Sequence, residues 1–270
     1  MTHHPDAPRP RRADVADSYD LGSGAYEALW SPLILPPAAA LVRRLELDGA
    51  GLVVDVGAGT GALLAAIRSV APAARTVAVD ASEQMLRFAR TRRGASAVLA
   101  DALALPLAGG CADAVILAYV LFHLADPVRA LGDAARVLRP GGRVGTVTWS
   151  WERLPRASAV WEEILSGAGV PPGPLRSADT GLDRPEAMTA TLRAAGLRPV
   201  RIWPQRLRRQ WDRSSHLRLA SGGGASRVRL SRVDADTRAD ALARLERAVA
   251  RLDPEDLVFE GEVLCAIASK

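Results

Sequence analysis

The stretch that predicts the fold comprises residues 53–62, VVDVGAGTGA. Its first residues have the apolar, β-branched character of a buried strand, and the glycines after them predict a turn that leads into a helix. Glycine at such a turn lets the backbone approach a ligand closely, and the start of the helix offers free N–H groups. The stretch therefore predicts a strand, a turn and a helix that bind a nucleotide-like ligand.

Apolar strand patterns alternate with helical patterns through the first 150 residues. This alternation is typical of an α/β fold with a Rossmann-like, doubly wound and mostly parallel sheet. Strands are predicted at 52–56, 75–79, 96–100, 113–119, 143–149, 198–204 and 257–268. Helices are predicted at about 60–70, 82–92, 126–138, 157–167, 186–195 and 235–251.

The predicted elements divide the chain into an N-terminal segment, a core and a cap. The N-terminal segment, which is expected to contain cofactor-covering helices, is 1–45, and the core combines 46–150, 186–204 and 235–270. Segments 151–185 and 205–234, which are rich in Pro, Gly and Arg, are expected to form a cap over the strand ends. Ligand sites in such sheets form at the carboxyl ends of the strands.

The composition, with 270 residues of which 49% are hydrophobic, suits one large α/β domain. The longest apolar stretch, 32–42, contains Pro36 and Pro37 and is shorter than the roughly 20 residues of a membrane span. Because no apolar signal segment is seen near the start, we expect a cytoplasmic protein with no membrane partner. Cys111 and Cys265 form no Cys/His group, so we expect neither a disulfide framework nor a metal site.

The basic residues are unevenly distributed along the chain, which has a net charge of +5. Residues 198–232 contain ten Arg and a single acidic residue, Asp212. Such a run is typical of a solvated basic face, but it would also suit an anionic ligand or nucleic acid.

Three carboxylates near predicted strand ends indicate which nucleotide-like ligand is bound. The glycine pattern alone also satisfies a looser dinucleotide fingerprint, so a NAD-dependent dehydrogenase is the alternative. Asp55, beside the glycine turn, would repel a pyrophosphate and attract an ammonium group. Asp80 is placed for two ribose hydroxyls, and Asp101 for the exocyclic amine of adenine. Ammonium, ribose and adenine together describe S-adenosyl-L-methionine.

The chain resembles the class I S-adenosylmethionine-dependent methyltransferases, in particular their small-molecule, ubiquinone/menaquinone-type group (methyltransferase type 11). The resemblance covers about residues 50–150 and rests on five motifs in the family's order and spacing. They are DVGAGTG at 55–61, DASEQM at 80–85, ADALALP at 100–106, YVLFHL at 119–124 and VLRPGG at 137–142. The family also has an antiparallel last strand, which residues 257–268 would supply.

The resemblance implies a role for individual residues of this chain. Gly57, Ala58 and Gly59 would line the methionine part of the cofactor, with Tyr119 beside it. Ala81 and Met85 would flank the adenine, and the Ala102 backbone would help Asp101 to recognise its amine. Tyr19 resembles the aromatic residue with which N-terminal helices of this family cover the cofactor.

Methyl transfer from a sulfonium needs alignment and exclusion of water, and a general base only where the acceptor loses a proton. His123 is the candidate base, because it follows the fourth strand and an ordinary histidine pKa of about 6.5 suits this task. His216 is a second candidate near the substrate. Trp149 and Trp151 are expected to wall the pocket of a small-molecule acceptor that is aromatic or anionic.

The function expected from the sequence is methyl transfer to an O, N or C nucleophile of a small molecule, in biosynthesis or specialised metabolism. One alternative is an RNA methyltransferase that uses the basic segment 198–232. This alternative ranks lower because the sequence contains neither an Asn/Asp-Pro-Pro-Tyr tetrapeptide nor paired catalytic cysteines. Another alternative is a protein that binds S-adenosylmethionine without transferring its methyl group.

Overall fold

The computed structural model describes residues 24, 26–171 and 181–270. Within them, seven strands form one sheet in the order β3-β2-β1-β4-β5-β7-β6. The strands are β1 (Leu52–Val56), β2 (Arg75–Asp80), β3 (Ser96–Leu99), β4 (Ala112–Ala118), β5 (Leu138–Arg153), β6 (Arg198–Gln210) and β7 (Val258–Ser269). Neighbouring strands are parallel except that β7 runs antiparallel to both β5 and β6. The predicted α/β fold, with its mostly parallel sheet and antiparallel last strand, is confirmed.

Helices cover both faces of this sheet. They are α1 (Ser31–Val42), α2 (Leu64–Val70), α3 (Glu83–Arg93), α4 (Pro127–Val137), α5 (Arg156–Gly167), α6 (Pro185–Ala194), α7 (Arg213–Gly222), α8 (Gly224–Leu230) and α9 (Ala235–Val249). A π-helical turn (Tyr26–Trp30) leads into α1, and short 3₁₀ turns lie at Leu121–His123 and Pro254–Leu257. No helix in the described part of the chain combines the length and the apolar character that crossing a bilayer requires.

Alternate residues of the central strands point into two separate apolar clusters. Val53 packs into the cluster that includes α1 and α5, whereas Val54 and Val56 pack into the cluster that includes α4 and α6. Because β1 and β4 are buried on both faces, their sequences are nearly continuous apolar runs. This burial fixes the strands whose carboxyl ends carry the polar residues of the site.

Several elements of the fold differ from the predictions. The helix after the glycine turn begins at Leu64 instead of residue 60, because Gly59 and Gly61 have positive φ angles of 56° and 75° that a helix excludes. Strand β6 continues to Gln210 instead of 204. Strand β5 spans Leu138–Arg153 instead of 143–149. Helices α7 and α8 were not predicted, and α1 lies in the segment for which helices were expected without stated bounds.

The described residues of the cap include more than the predicted segments. Helix α9, which the sequence assigned to the core, packs against α5 and α7, so it lies with the cap helices. The end of β6, assigned to the cap, belongs to the sheet. Residues 172–180 of the expected cap and 1–23 of the N-terminal segment lie outside the described residues. The division into core and cap therefore remains a proposal that these two observations refine.

Candidate functional site

Two adjoining clefts lie at the carboxyl ends of the parallel strands. The larger cleft has a volume of about 1100 Å³ and the smaller cleft about 430 Å³. The residues that line both clefts are Tyr26, Gly57, Gly59, Ala118 and Tyr119. The glycine turn and the end of β4 therefore form the boundary between the two clefts, where a ligand would extend from one to the other.

The glycine turn is tight at one residue and open at another. Gly57 has a φ of 69°, and a Cβ atom there would lie 2.2 Å from Cγ2 of Val120. Gly59 also has a positive φ, of 56°, but a Cβ atom there would meet nothing within 4 Å. Because α2 begins only at Leu64, the turn itself, and not the start of a helix, faces the clefts. Glycine at 57 is thus required by packing, whereas glycine at 59 leaves space for a ligand.

Asp55, the last polar residue of β1, is buried beside the smaller cleft. Its side chain is only 2% exposed, and its Oδ2 atom has no hydrogen-bond partner among the described residues. Burial, with a further contribution from the charge of Asp80, raises the pKa of Asp55 to about 7. A buried carboxylate without a partner is costly, and an ammonium group of a ligand would compensate for that cost. This position therefore fits the amino group of S-adenosylmethionine.

Asp80, at the end of β2, links the glycine turn to the start of α3. Its Oδ2 accepts a hydrogen bond of 2.8 Å from the Gly59 N–H, and its Oδ1 accepts one of 2.9 Å from the Ser82 N–H. Each carboxylate oxygen can accept a further hydrogen bond. Asp80 also lines the larger cleft, so these two bonds fix its carboxylate at the wall where a ribose would lie.

The rest of the predicted adenine site also lies in the larger cleft. Its walls include Ala81, Met85, Asp101 and Ala102. Met85 is held by a hydrogen bond of 3.1 Å from its N–H to Oγ of Ser82, which caps α3. The Oδ1 atom of Asp101 accepts a hydrogen bond of 3.0 Å from the Leu103 N–H. Two apolar side chains and a carboxylate thus line one part of the cleft, as recognition of an adenine requires.

Tyr119 follows β4 and has strained backbone geometry. Its φ is 60°, a left-handed value that non-glycine residues rarely adopt, and its N–H donates a hydrogen bond of 2.8 Å to the Val147 carbonyl. Its ring lies 5.6 Å from the ring of Trp149, and burial raises the pKa of its hydroxyl group well above the ordinary value. Such strain is concentrated at functional sites.

The structure places the two candidate bases differently. His123 lies in the 3₁₀ turn after β4 and lines the larger cleft, with its ring 4.2 Å from that of Phe122. His216, on α7, is 3% exposed and lines neither cleft, and burial lowers its pKa. The position of His123 suits a group that exchanges a proton with a bound acceptor, whereas that of His216 does not.

Two of the three aromatic residues chosen from the sequence do not line the clefts, and the third cannot be assigned to them because it is not described. Trp149 lies behind Tyr119 and packs against Phe259 at 5.8 Å. Trp151 is 43% exposed and lines neither cleft. Tyr19 lies outside the described residues.

The sequence analysis expected cofactor-covering helices in residues 1–45 but did not select the residues of this segment that line the clefts. Tyr26 lines both clefts, and Ser31, Ile34 and Leu35 of α1 line the smaller one. The signal for Tyr26 was its position in the same segment as Tyr19. The sequence around Tyr19 and Tyr26 has no periodic apolar pattern that would show which of the two faces the cofactor.

Several arginines of the basic segment bind carboxylates of the chain itself. The Nε atom of Arg208 lies 3.4 Å from Oε1 of Glu260, and Arg206 is similarly near Glu262 on the adjacent strand. Arg229 is buried, and its Nη1 lies 2.7 and 2.8 Å from the two carboxylate oxygens of Glu162. Part of this charge is thus neutralised within the fold.

Comparison with known protein families identifies the domain to which this site belongs. Residues 54–145 match the model of a methyltransferase domain family. This part of the chain thus matches a methyltransferase domain, and it lies on a Rossmann-like fold. The resemblance inferred from the five sequence motifs is confirmed.

Individual relatives match only part of the chain. An uncharacterized methyltransferase of Mycobacterium tuberculosis is 39% identical over 137 residues, which are 50% of this chain and 54% of that protein. A ubiquinone/menaquinone biosynthesis C-methyltransferase of Syntrophotalea carbinolica is 35% identical over 127 residues, which are 45% of this chain and 54% of that protein. The chain spans about half the length, or less, of the curated relatives it matches.

The fold is shared over a longer part of the chain than the sequence similarity. The crystal structure of the [4+2]-cyclase SpnF superposes with a TM-score of 0.62 and 20% sequence identity, covering 97% of this chain and 98% of that one. At this identity the likeness shows a common fold and nothing further.

Within the described ranges, no group of three or more His, Cys, Asp or Glu side chains is arranged to hold a metal ion.

Proposed function

We propose that this chain transfers the methyl group of S-adenosyl-L-methionine to an O, N or C nucleophile of a small molecule. The observation that carries the proposal is the buried Asp55 carboxylate, whose Oδ2 has no partner among the described residues at the smaller cleft. A dinucleotide would bring a pyrophosphate towards this carboxylate, and like charges in a buried site repel strongly. A sulfonium amino acid would bring an ammonium group instead.

The other carboxylates suggest how the cofactor lies across the two clefts. Its amino-acid part would lie along Gly57–Gly59 in the smaller cleft, with its ammonium on Asp55. Its ribose would bind Asp80, and its adenine would lie in the larger cleft between Ala81 and Met85. Asp101 and the Ala102 backbone would then recognise the adenine amine.

The cofactor would supply an activated methyl group, and the chain would align the acceptor and exclude water. His123 lines the larger cleft, so we assign to it the removal of a proton from an acceptor hydroxyl or amine. Trp149 packs against the ring of Tyr119 and would influence the position of the acceptor only through that ring.

The described lining of the clefts favours an uncharged acceptor. The described residues that line the clefts include three carboxylates, of Asp55, Asp80 and Asp101, and one imidazole, of His123. None of these lining residues is Arg or Lys. Because the cofactor would occupy the three acids, an acceptor carrying a carboxylate or phosphate would need a cationic side chain, and the described lining residues supply none. The arginines that suggested an anionic acceptor lie on β6 and in the cap helices. The quinone-directed relative supports an aromatic acceptor.

The experiment that tests the proposed function measures S-adenosylhomocysteine formed from S-adenosylmethionine with a panel of neutral phenols, hydroquinones and amines. We expect product with at least one of these classes, and its loss in Asp55→Asn but not in the exposed control Asp240→Asn. Uptake of the cofactor without product across the panel would refute methyl transfer to these acceptors. Retention by RNA that falls steeply with salt would indicate a nucleic-acid acceptor instead.

A further inference from the structure

Three side chains join the N-terminal segment to the glycine turn. The Oε2 atom of Glu27 accepts a hydrogen bond from the Thr60 hydroxyl, and its Oε1 atom forms an ion pair with the Arg93 guanidinium. Arg93 also donates from Nε to the Thr60 carbonyl, at 3.1 Å. We call this set of Glu27, Thr60 and Arg93 the clasp. It fixes the turn Tyr26–Trp30 to the segment between Gly59 and Gly61.

The clasp is better shielded from water than an ordinary surface ion pair. The side chains of Arg93 and Glu27 are 28% and 22% exposed, and Thr60 is buried. The neighbouring pair of Arg90 and Glu83, on the same helix α3, is 40% and 46% exposed. Ion pairs contribute more to stability as their exposure falls and as hydrogen bonds join them in a network. The pair Arg90–Glu83 therefore provides a matched control.

The glycine turn accommodates the clasp through Gly61. This residue has a φ of 75°, and a Cβ atom there would lie 3.3 Å from Cδ of Arg93 and 2.9 Å from Cδ1 of Leu64. Glycine at 61 thus lets the Arg93 side chain reach across the turn to Thr60. The clasp and the ligand-facing residue Gly59 belong to one short segment of backbone.

The turn Tyr26–Trp30 is anchored at its other end by aromatic packing. The Trp30 ring lies 5.6 Å from that of Phe259 on β7 and 6.2 Å from that of Trp211, both in edge-on geometry. Tyr26, next to the clasp, lines both clefts at their boundary. The two anchors therefore fix the residue that would lie across a ligand extending through both clefts.

We propose that Glu27 is a positioning residue that holds Tyr26 over the bound cofactor, so that the cofactor leaves only when the clasp opens. The proposal rests on the cofactor assigned under the proposed function. Glu27 itself lines neither cleft and would act through Tyr26 and the glycine turn. Loss of the clasp should therefore shorten the time for which the cofactor stays bound.

The test measures the rate at which radiolabelled S-adenosylhomocysteine leaves the full chain in the presence of excess unlabelled ligand. We expect Glu27→Gln to raise this rate roughly tenfold, as loss of a shielded charged hydrogen bond does. The control Glu83→Gln should stay within about twofold of the wild type. The thermal midpoint should fall further in Glu27→Gln than in Glu83→Gln, because the clasp is the less exposed pair.

A double variant separates positioning from a general loosening of the fold. Tyr26→Ala should also speed the release of S-adenosylhomocysteine. The double variant, Glu27→Gln with Tyr26→Ala, should release it no faster than Tyr26→Ala alone, because the two residues act as one unit. Multiplied effects in the double variant, or an unchanged rate in Glu27→Gln, would overturn the proposal. If Glu27→Gln fails to fold, Thr60→Val removes the hydroxyl contact and is judged by the same criteria. A wild type that binds no S-adenosylhomocysteine would instead refute the proposed function.

Discussion

Replacement of Asp55 by Asn should stabilise the protein at alkaline pH while removing its affinity for the cofactor. Burial raises the pKa of Asp55 in the folded protein from 3.8 to about 7. A carboxyl group whose pKa is raised on folding binds its proton more tightly in the folded state. Its contribution to stability is thus complete below pH 4 or so, and is lost as the pH rises through about 7. Above that pH the ionised group costs about 4 kcal/mol, from 1.36 kcal/mol per pH unit.

Asparagine has nearly the same shape and no charge, so Asp55→Asn escapes this cost. We expect the free energy of unfolding of the variant minus that of the wild type to be about 3 kcal/mol larger at pH 8 than at pH 5. Urea unfolding followed by circular dichroism, without ligand, measures both values, and contributions from all other titrating groups cancel in the difference. Asp240→Asn, on the exposed side of α9, serves as the control and should show no such change.

A constant difference between Asp55→Asn and the wild type from pH 5 to pH 8 would refute this reasoning. It would mean that the carboxylate is solvated or paired in the folded protein, and the main argument for an ammonium ligand would fail. If Asp55→Asn gains stability and loses ligand binding, it shows the trade-off expected of a binding residue that is costly to bury.

Three further predictions concern the same site. Gly57→Ala should lower the thermal midpoint sharply, because the added Cβ would lie 2.2 Å from Cγ2 of Val120. Gly59 has a positive φ but open space around it, so Gly59→Ala should lower the free energy of unfolding by only about 1 kcal/mol and should chiefly weaken ligand binding. Thermal melts measure the first effect and calorimetry the second. The affinity for S-adenosylhomocysteine should fall about tenfold per pH unit below pH 7, because Asp55 must release its proton to bind the ammonium; a flat calorimetric profile from pH 8 to pH 5 would contradict this. His123→Gln should lower kcat with a phenolic acceptor by roughly 10²-fold or more without changing the dissociation constant of S-adenosylhomocysteine, and an unchanged kcat would remove His123 as the base.

The parts of the fold that local patterns determine were predictable from sequence. The strand β1 and the glycine turn are specified by a continuous apolar run and by glycines that need positive φ, both visible in residues 53–62. The positions of Asp80 and Asp101 at strand ends follow from the parallel topology, because the carboxyl ends of such strands lie at one edge.

The cap could not be predicted in the same way, because its packing depends on contacts between distant segments. His216 sits in a polar, Arg-rich sequence and is nevertheless buried, since α7 packs beneath α5 and α9. Trp151 was expected in a pocket, but the register shift between Trp149 and Trp151 on β5 leaves it exposed. The role of Tyr26 depends on the clasp, whose members are far apart in sequence.

The most direct test of the account is a calorimetric titration of the purified chain with S-adenosylhomocysteine and, separately, with NAD⁺. We expect each chain to bind one molecule of S-adenosylhomocysteine and no NAD⁺. The affinity for S-adenosylhomocysteine should be at least tenfold weaker in Asp55→Asn than in Asp240→Asn. Uptake of NAD⁺ in its place, or equal affinity of the two variants for S-adenosylhomocysteine, would contradict it.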